Sequence, residues 1–409
     1  MMQDTSVESD KGSDYGDYVD WESDEASEIE INAEPVERYY HGCMYYPVRV
    51  GEVLDGRYRI VHKLGYGGFS TVWMAHDIQN DKAVALKTLV SGKDGEAEFL
   101  AQSTVCRIVG SAPHIVTYRS TFEVSGRGSG RHHVLVMPLL GPNLETRLRE
   151  ASMAARMSAA RQLLIALKTL HQAGIVHRDL NHGAVMWEMT DIDKYDKATQ
   201  YRRFGRPQKL DLIEKACDLA DLVQPMTIPP EFIGNTVYLG DFGMAILVGT
   251  PVDFKIQTPA MFCAPERYHD RNPSLASDMW SYTCIFAALY LGFPPFHGSG
   301  DDIVSLWVNT LGPLPVSWKG KYRYFDNKGD DAWYDQDRKH RPTMNLESLL
   351  ARREPVPEEE EMKLVLSIFQ RGFDYGPEKR PSAAELLKDD SFNALMRIYG
   401  CIDQEKGVK

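Results

Sequence analysis

The 409-residue sequence contains no apolar run of the roughly 20 residues that a membrane-spanning helix needs. Its first ten residues, MMQDTSVESD, are polar and acidic, so they do not predict a signal peptide. The six cysteines are scattered and form no CxxC pair, which argues against a disulfide framework or a zinc site. We therefore expect reduced thiols in a cytoplasmic or nuclear protein with no membrane partner.

Basic residues are outnumbered by acidic residues, since the chain has 46 Lys and Arg and 58 Asp and Glu. The excess lies in residues 1–38, which hold thirteen acidic residues and only Lys11 and Arg38 as basic ones. The rest of the chain is close to neutral and gives no support to direct nucleic-acid binding. With few apolar side chains to offset its ordering entropy, segment 1–40 is predicted to be a disordered tail. Such a tail either aids solubility or is regulated at Ser23 and Ser27, which acidic residues follow.

A glycine-rich turn, Gly65-Tyr66-Gly67-Gly68, lies between two segments with strand-like sequences, 58–61 and 71–75. Glycines in such a turn let backbone N–H groups approach phosphates with no Cβ in the way. A plain hairpin turn has the same appearance, so the turn alone is a weak signal. A dinucleotide-binding site is disfavoured, because a strand and not a helix follows the glycines.

Four features follow the turn in chain order: Lys87 at the end of an apolar strand, His177-Arg178-Asp179, Asp241-Phe242-Gly243 and Ala264-Pro265-Glu266. Taken singly, the lysine reads as a solvated strand-edge residue and each aspartate as a turn residue. Taken together and in this order, they resemble the working parts of a protein kinase. In that set the lysine holds phosphates, the first aspartate accepts the substrate's hydroxyl proton, and the second binds Mg²⁺.

Helical patterns surround these motifs. A helix is expected from Glu96 to about Val109, and Glu96 is our candidate partner for Lys87, with Glu98 as the alternative. The apolar stretch 278–291 predicts a buried helix, which we expect Asp278 to cap while also fixing the catalytic-loop backbone. The acidic run 358–361 is explained by the positive end of a further helix, or alternatively by a docking site for basic substrates.

Over about residues 50–397 the sequence resembles the eukaryotic protein kinase family, and most closely its SR-protein kinases, especially the fungal ones. Strings beyond the generic motifs carry this resemblance: Tyr40-His41-Gly42, Tyr46-Pro47-Val48, Phe69-Ser70-Thr71-Val72-Trp73, Leu140-Gly141-Pro142-Asn143-Leu144, Tyr238-Leu239-Gly240 and Cys263-Ala264-Pro265-Glu266-Arg267. The long polar stretch 188–236 is similar to the spacer of that group, and we expect it to be partly ordered.

The resemblance implies an α+β, bilobal protein-kinase fold. The expected small β-rich N-lobe and hinge cover 41–140, and the larger helical C-lobe covers 141–397 with the 188–236 insertion, followed by a tail at 398–409. The resemblance also implies ATP and Mg²⁺ as cofactors. The expected partners are protein substrates with Arg/Ser-rich segments, phosphorylated on Ser or Thr, and the chain is expected to be a monomer.

The resemblance assigns site residues as well. The expected nucleotide-binding residues are Leu64, Gly65, Gly67, Gly68, Ser70, Val72, Ala85, Lys87, Met137, Leu140 and Met186. The expected catalytic residues are Asp179, Lys87 and Glu96, with Asp241 as the metal ligand. The expected supporting residues are His177, Arg178, Phe242, Gly243, Asp278 and an ion pair of Glu266 with Arg380.

The catalytic loop departs from the family pattern at Ala184, where such kinases carry an asparagine that binds the second metal ion. Alanine offers no oxygen, although a water could replace it because Mg²⁺ retains several waters. Losing one preorganised electrostatic group typically slows catalysis by about 10²–10³. Asn181 likewise replaces the usual lysine at its position. Two functions therefore remain open: a serine/threonine kinase, or a pseudokinase that binds nucleotide and acts as a scaffold.

Overall fold

A computed structural model describes residues 15–39, 44–126, 130–148, 150–212, 220–256, 259–325, 327–338 and 341–403. The strands are β1 Asp17–Tyr18, β2 Val53–Leu54, β3 Tyr58–Gly67, β4 Ser70–Asp77, β5 Lys82–Leu89, β6 Ser120–Ser125, β7 Arg131–Pro138, β8 Ile175–Val176, β9 Val185–Met189, β10 Gln208–Asp211, β11 Asp221–Val223, β12 Ile233–Leu239 and β13 Ile246–Leu247. The α-helices are α1 Asp24–Asn32, α2 Lys93–Val109, α3 Met153–Gln172, α4 Lys197–Phe204, α5 Leu275–Leu291, α6 Gly300–Leu311, α7 Leu346–Ala351, α8 Glu359–Gly372, α9 Ala383–Leu386 and α10 Asp390–Ile398. Among these described helices, none is long and apolar enough to cross a membrane.

The chain divides into two compact units, the first comprising residues 1–99, 118–139 and 190–232. Its main sheet is antiparallel, with strand order β2-β3-β4-β5-β7-β6. Alternate residues of these strands, such as Trp73, Ala75, Val84 and Leu86, share one buried apolar cluster, as the two-residue period of a strand requires. The chain leaves this unit at Leu139, one residue before the predicted end of the hinge.

A second, three-stranded sheet of the first unit joins the two ends of a long stretch of chain. Strand β1 pairs in parallel with β10, which pairs antiparallel with β11. Helix α1 packs beside it and buries Ala26, Ile29 and Ala33, which recur at positions i, i+3 and i+7 on one helical face. Ser23 caps the helix by accepting a hydrogen bond from Ala26 N at 3.1 Å.

This sheet overturns two predictions. The prediction of a disordered acidic tail is wrong for residues 15–39, because most of their apolar side chains lie against one buried surface. That surface comes from β10 and β11, about 190 residues later, so local composition could not reveal it. Residues 1–14 and 40 lie outside the described part of the chain. The insertion was assigned to the C-lobe, but residues 190–232 belong to the first unit, because β10 pairs with β1.

The second unit, residues 100–117, 140–189 and 233–409, is mainly helical. Helix α5 is buried on nearly all sides, as its apolar sequence predicts, and packs against α3 and α8. Ser274, and not the predicted Asp278, caps it, since the Ser274 and Ser277 side chains each bond the other residue's backbone N–H. Asp278 lies four residues after Ser274, inside the helix, and its carboxylate contacts the backbone of residues 177 and 178.

The acidic run at 358–361 begins α8, where the helix dipole favours negative charge. Glu359 and Glu360 pair with Lys363 on the same helix, each at 2.9 Å. Glu361 accepts hydrogen bonds from Tyr290 at 2.6 Å and from Arg353 at 3.1 Å. The described contacts of these three carboxylates therefore lie within the unit, which supports the helix-end explanation.

Candidate active site

The glycine-rich turn joins β3 to β4 in the first unit. A Cβ atom built on Gly65 or Gly68 would meet nothing within 4 Å, and one on Gly67 would meet only Ser70 Oγ at 3.9 Å. The space above this backbone is therefore open to a ligand that approaches the peptide N–H groups. Ser70, at the expected third-glycine position, is buried and begins β4.

Four other predicted nucleotide-binding residues share one face of the main sheet with this turn. Val72 lies directly opposite Lys87, and Ala85 lies directly opposite Met137. Residues directly opposite each other in neighbouring strands point to the same side, as do residues two apart on one strand. The pairing thus places apolar side chains and one ammonium group together. Leu64 precedes the turn in β3, whereas Leu140 and Met186 belong to the second unit.

Lys87 forms a buried ion pair in which its Nζ lies 2.6 Å from Glu98 Oε1. Lys87 is 9% exposed and Glu98 is 7% exposed. The prediction that Glu96 is the partner is wrong, because Glu96 lies on the exposed side of α2 and contacts His133 at 3.1 Å. Residues 96 and 98 point about 200° apart around a helix with 3.6 residues per turn.

The buried side of α2 shows why the inference failed. Leu100, an apolar residue four positions after Glu96, is 62% exposed, so Glu96 and Leu100 lie on the outer side of the helix. The buried positions are Gly95, Glu98, Gln102 and Val105, which follow the i, i+3, i+7, i+10 spacing of one helical face. Gln102, a polar residue on that face, hides the pattern from a reading based on apolar side chains.

In the second unit, Asp278 fixes the backbone of the catalytic loop. Its carboxylate, 1% exposed, accepts hydrogen bonds from His177 N at 2.7 Å and from Arg178 N at 3.0 Å. Arg178 has φ of +70°, a conformation that costs free energy in a residue other than glycine. The two charged hydrogen bonds offset that cost and direct the following residue, Asp179.

His177 links the same loop to the segment before Asp241. Asp179 N donates to His177 Nδ1 at 3.3 Å, so Nδ1 is the acceptor nitrogen of a neutral ring. Nε2 then carries the proton and donates to Gly240 O at 2.9 Å. Phe242 is fully buried with its ring 5.3 Å from that of His177, while Asp241 itself is exposed with φ of +56°.

The environment of Asp179 alters its acidity. Burial raises the pKa of this carboxyl to about 6, and the negative charge of Asp241 adds to the rise. A carboxylate with a pKa close to the working pH accepts a proton more readily than an ordinary aspartate does. Asp179 therefore has the acidity of a general base near neutral pH.

Ala184, the departure from the family pattern, is 1% exposed and packs in the main apolar cluster of the second unit. Its carbonyl accepts a hydrogen bond from Gly240 N at 2.8 Å, which places it beside the residue preceding Asp241. Asn181 is already engaged, with Oδ1 accepting from Gly183 N and Nδ2 donating to Asp179 O. His182 is buried against the Phe262 ring, and burial lowers its pKa to about 4.

The Asn181 side chain is thus committed to the loop and does not take the place of the missing asparagine. Within the described ranges, no group of three or more His, Cys, Asp or Glu residues is arranged to hold a metal ion. Mg²⁺ is usually bound by one or two carboxylates together with substrate phosphates and waters, a requirement that Asp241 can meet in part.

Downstream, Glu266 and Arg380 form the expected ion pair, with the guanidinium donating to both carboxylate oxygens at 2.8 and 2.7 Å. The structure gives a role to Arg267, which the sequence analysis named only as the last residue of the string Cys263-Ala264-Pro265-Glu266-Arg267. Arg267 donates to the carbonyls of Lys255 and Arg178, and Arg178 donates to Phe254 O at 2.6 Å. These donors hold the segment after Asp241 through its backbone.

Residues 58–312, more than half of the chain, match the sequence model of the protein tyrosine and serine/threonine kinases. The chain belongs to this protein kinase family.

Several individual protein kinases are similar to this chain in sequence. The chain is 28% identical to the serine/threonine-protein kinase SRPK of Physarum polycephalum, over 95% of this chain and 97% of that protein. It is 26% identical to a serine/threonine protein kinase of Aspergillus fumigatus, over 89% of this chain and 91% of the relative. It is 30% identical to human SRSF protein kinase 3, over 40% of this chain and 31% of that protein.

Among solved structures, the fold is similar to that of the PF14_0431 kinase domain, with a TM-score of 0.61 and 18% identity. The match covers 86% of this chain and all of that one. The α+β, bilobal kinase architecture predicted from the sequence is thus confirmed, with a β-sheet unit and a helical unit.

Proposed function

We propose that the chain transfers the γ-phosphoryl group of ATP to serine, or threonine, of Arg/Ser-rich protein segments. The observation that carries the proposal is the buried ion pair between Lys87 and Glu98. Burying such a pair stabilises a fold weakly or not at all compared with apolar side chains. Its presence on the sheet face that also bears the glycine-rich turn is explained by a role in binding phosphates.

Each residue then has a role in the reaction. Asp179 accepts the proton of the substrate hydroxyl as that oxygen bonds to the γ-phosphorus and the bond to the bridging oxygen of ADP breaks. Lys87 holds the α- and β-phosphates, and the backbone N–H groups of the glycine-rich turn contact the phosphate oxygens. Asp278 acts through the loop backbone, because it orients Asp179 without touching substrate.

The residues fit a nucleotide well and Mg²⁺ less completely. The open space above Gly65 and Gly68 suits phosphates. Asp241 is exposed and would hold the metal ion, which supplies positive charge to neutralise the phosphate oxygens. Ala184 contributes no oxygen, so water and phosphate must fill the remaining positions.

The substrate class rests on similarity over nearly the whole chain. Relatives are named as SRPK and as SRSF protein kinase 3, and the first of these aligns with 95% of this chain. An Arg/Ser-rich protein segment is therefore the substrate to test first.

A second candidate function, a nucleotide-binding pseudokinase, is favoured by one observation. Ala184 is buried and has no polar side-chain atom, while the neighbouring Asn181 is engaged within the loop. Such a protein would bind nucleotide and act through association with other proteins.

One experiment separates the two candidates. Phosphate transfer from radiolabelled ATP to an Arg/Ser-repeat peptide is measured for the natural chain, Asp179→Ala, Ala184→Asn and Ala184→Leu. We expect transfer above the Asp179→Ala level. Restoring the asparagine should raise kcat by up to about 10²–10³, most strongly at low Mg²⁺. Leucine, which adds similar bulk without an oxygen, should give no gain.

The outcomes are distinct. If the natural chain transfers no more phosphate than Asp179→Ala yet shows a melting shift with Mg-ATP, the pseudokinase function is favoured. If a folded sample shows no melting shift at millimolar Mg-ATP, nucleotide binding itself is wrong.

A further inference from the structure

The glycine-rich turn is tied to the N-terminal segment of the chain, residues 15–39 and 44–48, and this connection has a consequence for nucleotide binding. Tyr45 is 2% exposed, and its hydroxyl donates a hydrogen bond to Gly67 O at 2.5 Å. Gly67 is part of the turn, so a side chain 22 residues earlier holds the turn's backbone directly.

A second contact holds the other side of the turn. Phe69 O accepts a hydrogen bond from Val90 N at 2.8 Å. Tyr45 and Val90 both belong to one apolar cluster, here called the N-terminal cluster: Ala26, Ile29, Ala33, Tyr39, Tyr45, Val90, Leu210, Leu212, Ala220 and Leu222. The turn is therefore anchored at two carbonyls to a cluster that α1 and the insertion build together.

The strand that leads into the turn has its own anchor. Lys63, two residues before Gly65, forms an ion pair with Glu34, and both residues are 0% exposed. Tyr39 donates a hydrogen bond to the same Glu34 carboxylate, and its ring lies 5.9 Å from that of Tyr45 in an edge-to-face arrangement. Glu34, Tyr39 and Tyr45 thus form a continuous connection from the N-terminal segment to the turn.

The protonation states of Tyr45 and Lys63 fix the donor roles in these contacts. Burial raises the pKa of the Tyr45 hydroxyl, so it stays a donor throughout the neutral range. Burial also lowers the pKa of Lys63, so its charge depends on the Glu34 partner. Both anchors restrict the turn before any ligand arrives, which reduces the entropy that ligand binding must remove.

We propose that Tyr45 is a positioning residue for the phosphate-binding turn, and that the N-terminal segment thereby sets the affinity for the phosphate part of the nucleotide. This inference rests on the proposed function, because it requires the turn to contact phosphates. Tyr45 acts through Gly67 and does not touch the nucleotide. Loosening its contact lowers the fraction of molecules whose turn is ready to bind, and the apparent Kd rises in inverse proportion.

The test compares Tyr45→Phe with the full-length natural chain. The substitution keeps the buried ring and removes only the hydroxyl donor. A neutral hydrogen bond contributes a net factor of about three to ten in such an equilibrium, so Kd for Mg-ATP should rise by about that factor. Kd for adenosine, which lacks phosphates, should stay within about twofold. A purely structural role would not separate the two ligands.

Tyr18→Phe is the matched control, because the Tyr18 hydroxyl bonds Asp221 at 3.1 Å in the second sheet and has no contact with the turn in the described hydrogen bonds. It should leave both affinities unchanged. A second variant, Glu34→Gln with Lys63→Met, releases the strand before the turn and should weaken Mg-ATP binding as Tyr45→Phe does.

Amide hydrogen exchange without nucleotide gives a readout that does not depend on the proposed function. Exchange over residues 64–72 should accelerate in Tyr45→Phe but not in Tyr18→Phe. If the natural chain binds Mg-ATP and Tyr45→Phe binds it equally well, the inference is overturned and the proposed function stands. If the natural chain does not bind Mg-ATP, both the inference about Tyr45 and the proposed function are wrong, whatever the exchange data show.

Discussion

The raised pKa of Asp179 predicts that neutralising this residue stabilises the protein while it abolishes phosphate transfer. Asp179→Asn keeps the size of the side chain and removes a charge that burial disfavours. A catalytic base held at a cost in stability is expected wherever function requires a partly desolvated charge. The prediction therefore tests whether Asp179 is placed for chemistry or for folding.

The expected magnitude follows from the pKa difference. The pKa of Asp179 rises from 3.8 to about 6, and a tenfold change in a protonation equilibrium is worth about 1.4 kcal/mol. At pH 7.5 the charged carboxylate therefore costs the folded state about 3 kcal/mol. As the pH falls through 6, the folded state binds a proton before the unfolded state does, so the cost shrinks to roughly half of that at pH 5.

The assay is equilibrium urea unfolding at pH 7.5 and pH 5, followed by tryptophan fluorescence. This signal reports mainly on the second unit, which holds five of the seven tryptophans: Trp187, Trp280, Trp307, Trp318 and Trp333. Asp179→Asn should gain about 3 kcal/mol at the higher pH and roughly half as much at the lower pH. Asp253→Asn, at an exposed carboxylate of the same unit, should change stability by less than about 0.5 kcal/mol. A loss of stability, or a gain independent of pH, would refute the reasoning.

Three further predictions follow from buried charges. Arg380→Met leaves the Glu266 carboxylate buried without its bidentate partner and should cost about 3–5 kcal/mol in urea unfolding; a loss below 1 kcal/mol would contradict it. Asp278→Asn weakens two charge-assisted hydrogen bonds to the catalytic loop and should lower kcat by about ten- to a hundredfold, with little change in Kd for Mg-ATP; unchanged kcat would show that the loop holds itself. Deleting residues 1–39 removes the Glu34 partner of buried Lys63 and should cost at least about 3 kcal/mol, whereas a truncated protein of full stability would mean that the segment does not pack as described.

The sequence alone determined the kinase fold and proposed most residues of the candidate site, because those signals are local. The motifs around Lys87, Asp179 and Asp241 require particular residue types at fixed spacing, and the strands and helices that carry them show their periodicity within ten to twenty residues. The Glu266–Arg380 pair was also foreseen, since the resemblance supplied a contact that spacing could not.

Only the tertiary structure decided which groups along one element meet a distant partner. Glu96 and Glu98 differ by two positions in one helix, and the side that faces the Lys87 strand is set by packing and not by local sequence. Ser274 caps α5 because the chain turns there, which frees Asp278 for the catalytic loop.

The N-terminal segment is the clearest case. Its composition is that of a disordered tail, since charge outweighs apolar surface over its whole length. It folds because α1 and β1 meet β10 and β11 of the insertion, and each segment supplies the apolar surface that the other lacks. Neither segment alone buries enough surface to offset the entropy of ordering it, so their order is a property of the assembled fold.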